Sequence, residues 1–315
     1  MLGFRQFFIV ESIRQGLPHI TSMSHGQFSS LVKGGKVHLT DVTEKTDGMT
    51  HVMGHDEHGF YTQSSGSGSE KMRKPEVFHE RAKRRAKETG KQYDSTSADA
   101  FAHVHKILQG NKGVQEHLKK QYEKTGTDTK IRGEVFYKPL SRPSEEKKGE
   151  VKFVGTSYDP SHMGTAGKYV IHTKLPDNHH VDAEHFAKHF STKEMNFDHD
   201  KVDHKGGHVD VSGEAKDLGK LNHELINSRT TKTNKEAKTA ELDKMHGIQK
   251  RVSDKVDSYV KSSGIKPKWG SGSEGLVVHP PKQNPDAPRF KVTSDAFRSY
   301  KADPTNKEKF KARNA

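Results

Sequence analysis

Apolar residues in this chain come in short runs rather than long blocks. Leu276-Val277-Val278, Phe290-Lys291-Val292, Lys168-Tyr169-Val170-Ile171-His172, and the segments 130–137 and 150–154 each have the length of a strand. Val37, Leu39 and Val42 alternate imperfectly toward Lys45, which predicts a further strand delivering that lysine. Only 29% of the 315 residues are apolar, so these runs must supply much of any core, and much of the remainder must be solvated helix and loop. Thr50-His51-Val52-Met53 and Gly59-Phe60-Tyr61-Thr62 flank a polar turn at 54–58 and predict a hairpin. Residues 70–125 read as charged helix, broken around Gly110 and Gly113. In 233–262 the residues Ala240, Leu242, Met245, Ile248, Val252, Val256 and Val260 keep mostly helical spacing, which predicts one long amphipathic helix ended by Gly264 and Pro267. Strands set around helical segments predict an α+β fold with a largely antiparallel sheet.

Lys and Arg number 54 against 41 Asp and Glu, a formal charge of +13. A surplus of this size favours polyanionic partners, nucleic acid first, because each neutralised phosphate releases counterions. The chain has no cysteine, which excludes disulfides, thiolate zinc sites and cysteine nucleophiles. No apolar run reaches the length of a bilayer span, and Phe7-Phe8-Ile9-Val10 is too short for a signal-peptide core. A cytoplasmic protein is expected, with no membrane partner and a short helical extension within 1–20.

Four short signals carry chemistry. They are Lys45-Thr46-Asp47-Gly48, Gly133-Glu134-Val135-Phe136, Glu274-Gly275-Leu276-Val277-Val278 and Arg289-Phe290-Lys291. Nucleotidyl transfer through an amine needs a lysine that can shed its proton, which nearby cations encourage. It also needs cations around the spreading phosphoryl charge and a carboxylate to hold a metal. Lys45 ends a strand, Glu134 and Glu274 stand at apolar strands, and Lys291 alternates with Arg289, so the last two share a face.

In this order the four signals resemble motifs I, III, IV and V of the covalent nucleotidyltransferase superfamily, which comprises ATP-dependent DNA ligases, RNA ligases and mRNA capping enzymes. The resemblance spans 37–293, and the segments inserted between the motifs carry no match. Lys152-Phe153-Val154-Gly155-Thr156-Ser157-Tyr158 stands where motif IIIa belongs, so Phe153 or Tyr158 is the expected stacking aromatic. The resemblance implies a single adenylyltransferase domain over 1–315, an ATP-grasp-like ligase adenylation fold with a helical, His-rich insertion over about 159–266. It implies that Lys45 becomes adenylylated and that Lys291 contacts the α-phosphate, with Arg289 standing in for the first motif V lysine. It further implies that Glu44, Asp47, Gly48, Glu134 and Phe153 contact ATP, Glu134 at the ribose, and that Glu274 supports Mg2+ or Mn2+. DNA ligases and capping enzymes usually carry an arginine where Thr50 stands, so Met49-Thr50 leans toward phage-type RNA ligases. Thr46 as second residue of motif I is familiar in capping enzymes. Only 22 residues follow Thr293, too few for a C-terminal oligonucleotide-binding barrel. His279 stands where motif IV often has a lysine, and 63–66 lacks the arginine that one RNA ligase type carries there.

The expected function is therefore an ATP-dependent, RNA ligase-like polynucleotide ligase, monomeric, acting on RNA or DNA ends or nicks. A phage-encoded enzyme at work in a host cytoplasm fits the same resemblance. A minimal DNA ligase and a non-catalytic nucleic-acid-binding protein with a degenerate ligase fold are the alternatives. Other features have simpler readings. The Ser/Gly run 64–69 is a loop before it is a phosphate cradle. His185 and His189, and the group His199, Asp200, Asp203, His204 and His208, are chance neighbours among 22 histidines before they are metal sites. Trp269 either stacks on a base or anchors its loop. The basic stretch 81–87 is either a solvated face or a track for a nucleic-acid backbone.

Overall fold

The computed structural model describes residues 17–46, 48–64, 70–90, 92–93, 95–136, 167–228, 235–265, 273–282 and 284–303. In chain order the elements are α1 (His25–Val32), β1 (Lys36–His38), β2 (Val42–Thr46), β3 (Met49–Asp56) and β4 (Gly59–Ser64). Three helices follow, α2 (Glu76–Thr89), α3 (Thr96–Gly110) and α4 (Lys112–Thr125). Then come β5 (Thr129–Phe136), β6 (Gly167–Ile171), α5 (Ala183–Phe190), β7 (Met195–His199) and β8 (His208–Asp210). Two long helices, α6 (Ser212–Ser228) and α7 (Lys235–Ser262), precede β9 (Ser273–Val278), β10 (Phe290–Thr293) and α8 (Asp295–Ala302). The fold is α+β with antiparallel and mixed sheets, as the strand pattern predicted. No helix of the described residues is long and apolar enough to cross a membrane.

The chain packs as two compact units. The first takes 1–45, 202–268 and 274–315, and the second takes 46–201 and 269–273. The stretch 159–266, expected as one helical insertion, is divided between them. Its described part up to Lys201 supplies β6, α5 and β7 to the second unit, and its part from Val202 supplies β8, α6 and α7 to the first. Only a three-dimensional pairing reveals this, because β7 is short and its sequence, Met-Asn-Phe-Asp-His, is half polar.

In the first unit a three-stranded sheet runs in the order β10-β9-β2, and β1 pairs antiparallel with β8. The end residues Thr46 of β2 and Ser273 of β9 fall in the second unit. Helix α7 presents Met245, Ile248, Val252 and Val256 at steps of three and four, so all four fall on one face. That face joins Leu218 and Leu221 of α6 and Val42, Leu276, Val278, Phe290 and Val292 of the sheet in one buried cluster. Burial of such a stripe, more than intrinsic propensity, stabilises a long polar helix. Ser24 caps α1 by accepting from the Gln27 amide, while the Gln27 side chain accepts from the Ser24 amide.

In the second unit five strands run in the order β4-β3-β5-β6-β7, antiparallel except for the β6–β7 pair. Helix α5 makes the crossover that a parallel pair requires. Met53, Ile131, Val135, Tyr169, Ile171 and Phe197 from the sheet share a core with Val104 and Leu108 of α3, Val114 and Leu118 of α4, and Phe186 of α5. The expected hairpin is present, with a correction. The turn is only Glu57-His58, and β3 continues through Gly54, His55 and Asp56. Gly54 and His55 have strand partners on both sides and Asp56 pairs with Gly59, which outweighs their poor strand propensity. Arg73 donates to both Asp56 oxygens at 2.7 and 2.8 Å, and Lys71 donates at 2.7 Å. Burial raises the Asp56 pKa, but these cations dominate and hold it at about 2.

Candidate functional site

In the first unit, Lys45, Glu274 and Lys291 stand on the three neighbouring strands β2, β9 and β10. Lys45 Nζ lies 3.4 Å from Glu274 Oε2, and the two side chains are 25% and 14% exposed. The ion pair is thus sheltered but reachable from solvent. Gly275 has φ +140°, a conformation L side chains rarely adopt. A Cβ there would stand 2.0 Å from the Val292 carbonyl oxygen, so the close approach of β10 to β9 beside Glu274 takes a glycine.

Lys291 pairs in register with Val277 across β9 and β10, and its amide donates to the Pro18 carbonyl at 3.0 Å. Burial lowers the Lys291 pKa, and Lys301 and Lys45 push the same way against Glu274. His19, beside the Thr293 hydroxyl at 3.2 Å, is driven to about 4 by burial first and then by Lys291, Lys301 and Arg298. The surroundings of Lys291 are thus rich in positive charge, the environment in which a lysine gives up its proton most readily and a polyphosphate is most strongly attracted. Arg289 is half-buried just before β10, and burial lowers its pKa too. Glu44 is 1% exposed, beside Lys45 on β2. His279 is buried, with Nε2 3.0 Å from Thr43 Oγ1 and its amide donating to the Asp41 carbonyl at 2.9 Å. It ties β9 to β2, which accounts for a histidine at that position.

In the second unit, Glu134 is buried on β5, directly opposite Thr50 of β3. Its Oε2 accepts from the Gly48 amide at 3.0 Å and from the Thr46 hydroxyl. A Cβ on Gly48 would come within 2.8 Å of the Glu134 Cβ and 2.7 Å of the Phe136 ring, so only glycine allows this approach. Oε1 of Glu134 lies 3.8 Å from His172 Nε2, and His172 Nδ1 lies 3.3 Å from Asp200 Oδ2. Asp200 Oδ1 in turn accepts from the Thr173 amide at 2.9 Å and its hydroxyl at 2.7 Å. His172 and Asp200 were not among the expected site residues. His172 merely follows an apolar strand, and Asp200 was one acid in a histidine-rich stretch.

Asp47 and Phe153 lie outside the described residues, as do 152–158, 65–69 and Trp269. The rings of His185 and His189 stack 4.0 Å apart on α5. In the group around His199, Asp200 turns to His172, whereas His204 Nε2 is 2.7 Å from the Leu39 carbonyl. Among the described residues no three His, Asp or Glu side chains gather as metal ligands. Glu274 fits a magnesium ion that takes one or two carboxylates and completes its shell with water and substrate phosphates. Comparison with protein-family models, with curated proteins and with solved structures finds no match to this chain.

Proposed function

We propose that this chain is an ATP-dependent polynucleotide ligase, RNA ligase-like, that works through a lysyl-AMP intermediate on Lys45. The observation that carries the reading is the Lys45–Glu274 pair at 3.4 Å with Lys291 on the adjoining strand. Residues far apart in sequence, chosen for nucleotidyl-transfer chemistry, meet in one small sheet. A Lys45 amine that has given up its ammonium proton attacks the α-phosphorus of ATP, so a P–N bond forms, the bond to the β-phosphate bridge oxygen breaks, pyrophosphate leaves, and the second proton released from nitrogen passes to water. Lys291 and Arg289 offset the charge that accumulates on the phosphoryl oxygens. Glu274 holds Lys45 in place and would supply a carboxylate to Mg2+ or Mn2+, whose chemistry there would be to offset phosphate charge. AMP then passes to a 5′-phosphate end, and a 3′-hydroxyl displaces it to seal the strand. The surplus of 13 positive charges favours such a polyanionic substrate.

Thr50, in place of an arginine, favours RNA over DNA as the strand joined. Parallel sealing assays on nicked RNA and nicked DNA duplexes decide between them. ATP labelled at the α-phosphate leaves acid-labile label on the protein, and Lys45→Ala removes it. A protein that binds nucleic acid and never takes up label is the non-catalytic alternative.

A further inference from the structure

The strongest feature outside the expected motifs is the ring of His172, held between two carboxylates of the second unit. It stands at the end of β6, 18% exposed, with one nitrogen toward each acid. The geometry forms a chain with a fixed direction. Thr173 fastens Asp200, Asp200 orients the ring through Nδ1, and Nε2 faces Glu134 Oε1. Glu134 then presents its other oxygen to the Gly48 amide and the Thr46 hydroxyl. The backbone is tied down as well. The His172 amide donates to the Arg132 carbonyl at 3.1 Å, and Asn178 Nδ2 donates to the carbonyls of both Arg132 and His172 at 2.6 Å.

We propose that His172 is a positioning residue, wedged between Asp200 and Glu134, that holds the Glu134 carboxylate against the Thr46 hydroxyl and the Gly48 amide. The proposal rests on the nucleotidyl-transfer reading for its purpose, since Thr46 and Gly48 belong to motif I, but its geometry stands without it. A carboxylate aimed by a cation keeps its charge and its direction, which a ribose hydroxyl or a turn amide requires. Burial alone would discharge the ring, yet Asp200 and Glu134 outweigh it and raise the His172 pKa to about 9. Asp200 is correspondingly lowered, burial being overcome by its bonds to His172 and Thr173. Arg132 of β5, whose carbonyl accepts from the His172 amide, pairs through its side chain with Asp177 at 3.0 Å.

The test uses the full-length chain with His172→Gln and Asp200→Asn. Initial rates of lysyl-AMP formation are measured against ATP concentration and pH. The KM for ATP is expected to rise at least about tenfold in both variants, as misplaced contacts commonly cost that much or more. The wild-type KM for ATP is expected to rise as pH rises through about 9, when the ring loses its proton. That rise moves to lower pH in Asp200→Asn and vanishes in His172→Gln. Wild-type KM and pH profile in both variants would overturn the proposal. If the wild-type chain forms no lysyl-AMP, the ligase reading fails, and the clamp is decided by the Gly48 amide in the unaltered protein. Its NMR signal and hydrogen-exchange protection are expected to follow the His172 titration near pH 9. A Gly48 amide indifferent to that titration overturns the clamp as well.

Discussion

At the scale of single residues, two histidines of the second unit are driven in opposite directions, His172 up by its acids and His51 down by burial. His172 sits between acids and stays charged. His51 is fully buried with neither ring nitrogen hydrogen-bonded among the described residues, stacked on Phe101 and edge-on to Tyr169. Burial, with His105 adding to it, drives its pKa from 6.5 to about 3. The unfolded chain then binds a proton that the folded chain refuses. Stability is complete above about pH 6.5 and falls as pH drops toward 3, by roughly 1.4 kcal/mol per pH unit from this group. His51→Leu is expected to flatten that acid limb in urea melts taken from pH 7 to 4, and an unchanged limb would contradict it. That Lys45 lies on a strand was legible in the sequence, because Val37, Leu39 and Val42 alternate toward it. The surroundings of His172 were not, because Glu134 and Asp200 come to it from β5 and from just after β7.

At the scale of elements, the motif strands were legible because their apolar runs are short and bounded by Pro and Gly. The continuation of β3 through Asp56 was not, because Gly54 and His55 are strand residues by virtue of neighbours on both sides, and Asp56 by its pairing with Gly59. The decisive local device is Gly275, whose φ of +140° and missing Cβ let β10 approach β9 beside Glu274. Gly275→Ala must give up either the φ of +140° or the pairing with β10. Strain of this kind costs on the order of 1–3 kcal/mol, and a blocked close approach adds to it. Denaturant melts are expected to show a loss of about 2 kcal/mol or more, accompanied by loss of adenylylation. A variant of unchanged stability and labelling would show that the strand pair needs no glycine there.

At the scale of the whole molecule, an α+β fold could be read from the order of strands and helices, but the division into two units could not. Unit membership depends on pairings such as β1 with β8 and β6 with β7, between segments whose sequences do not name their partners. The second unit is nearly continuous, 46–201 with a five-residue addition, whereas the first is assembled from three separate stretches. A fragment of 46–201 is expected to fold alone, with dispersed amide resonances and a cooperative melt, because its sheet and its apolar core lie within that segment. A fragment that stays unfolded would contradict the division. The central claim, the proposal of a nucleotide carried on Lys45, joins all three scales: one amine, one sheet that brings Glu274 and Lys291 to it, and one chain with a formal charge of +13. It is tested most directly by mass spectrometry of the proteolysed chain after incubation with ATP and Mg2+. The account predicts one AMP on the peptide that contains Lys45, absent in Lys45→Ala and strongly reduced in Glu274→Gln. No adduct, or an adduct on another lysine that survives Lys45→Ala, would contradict it.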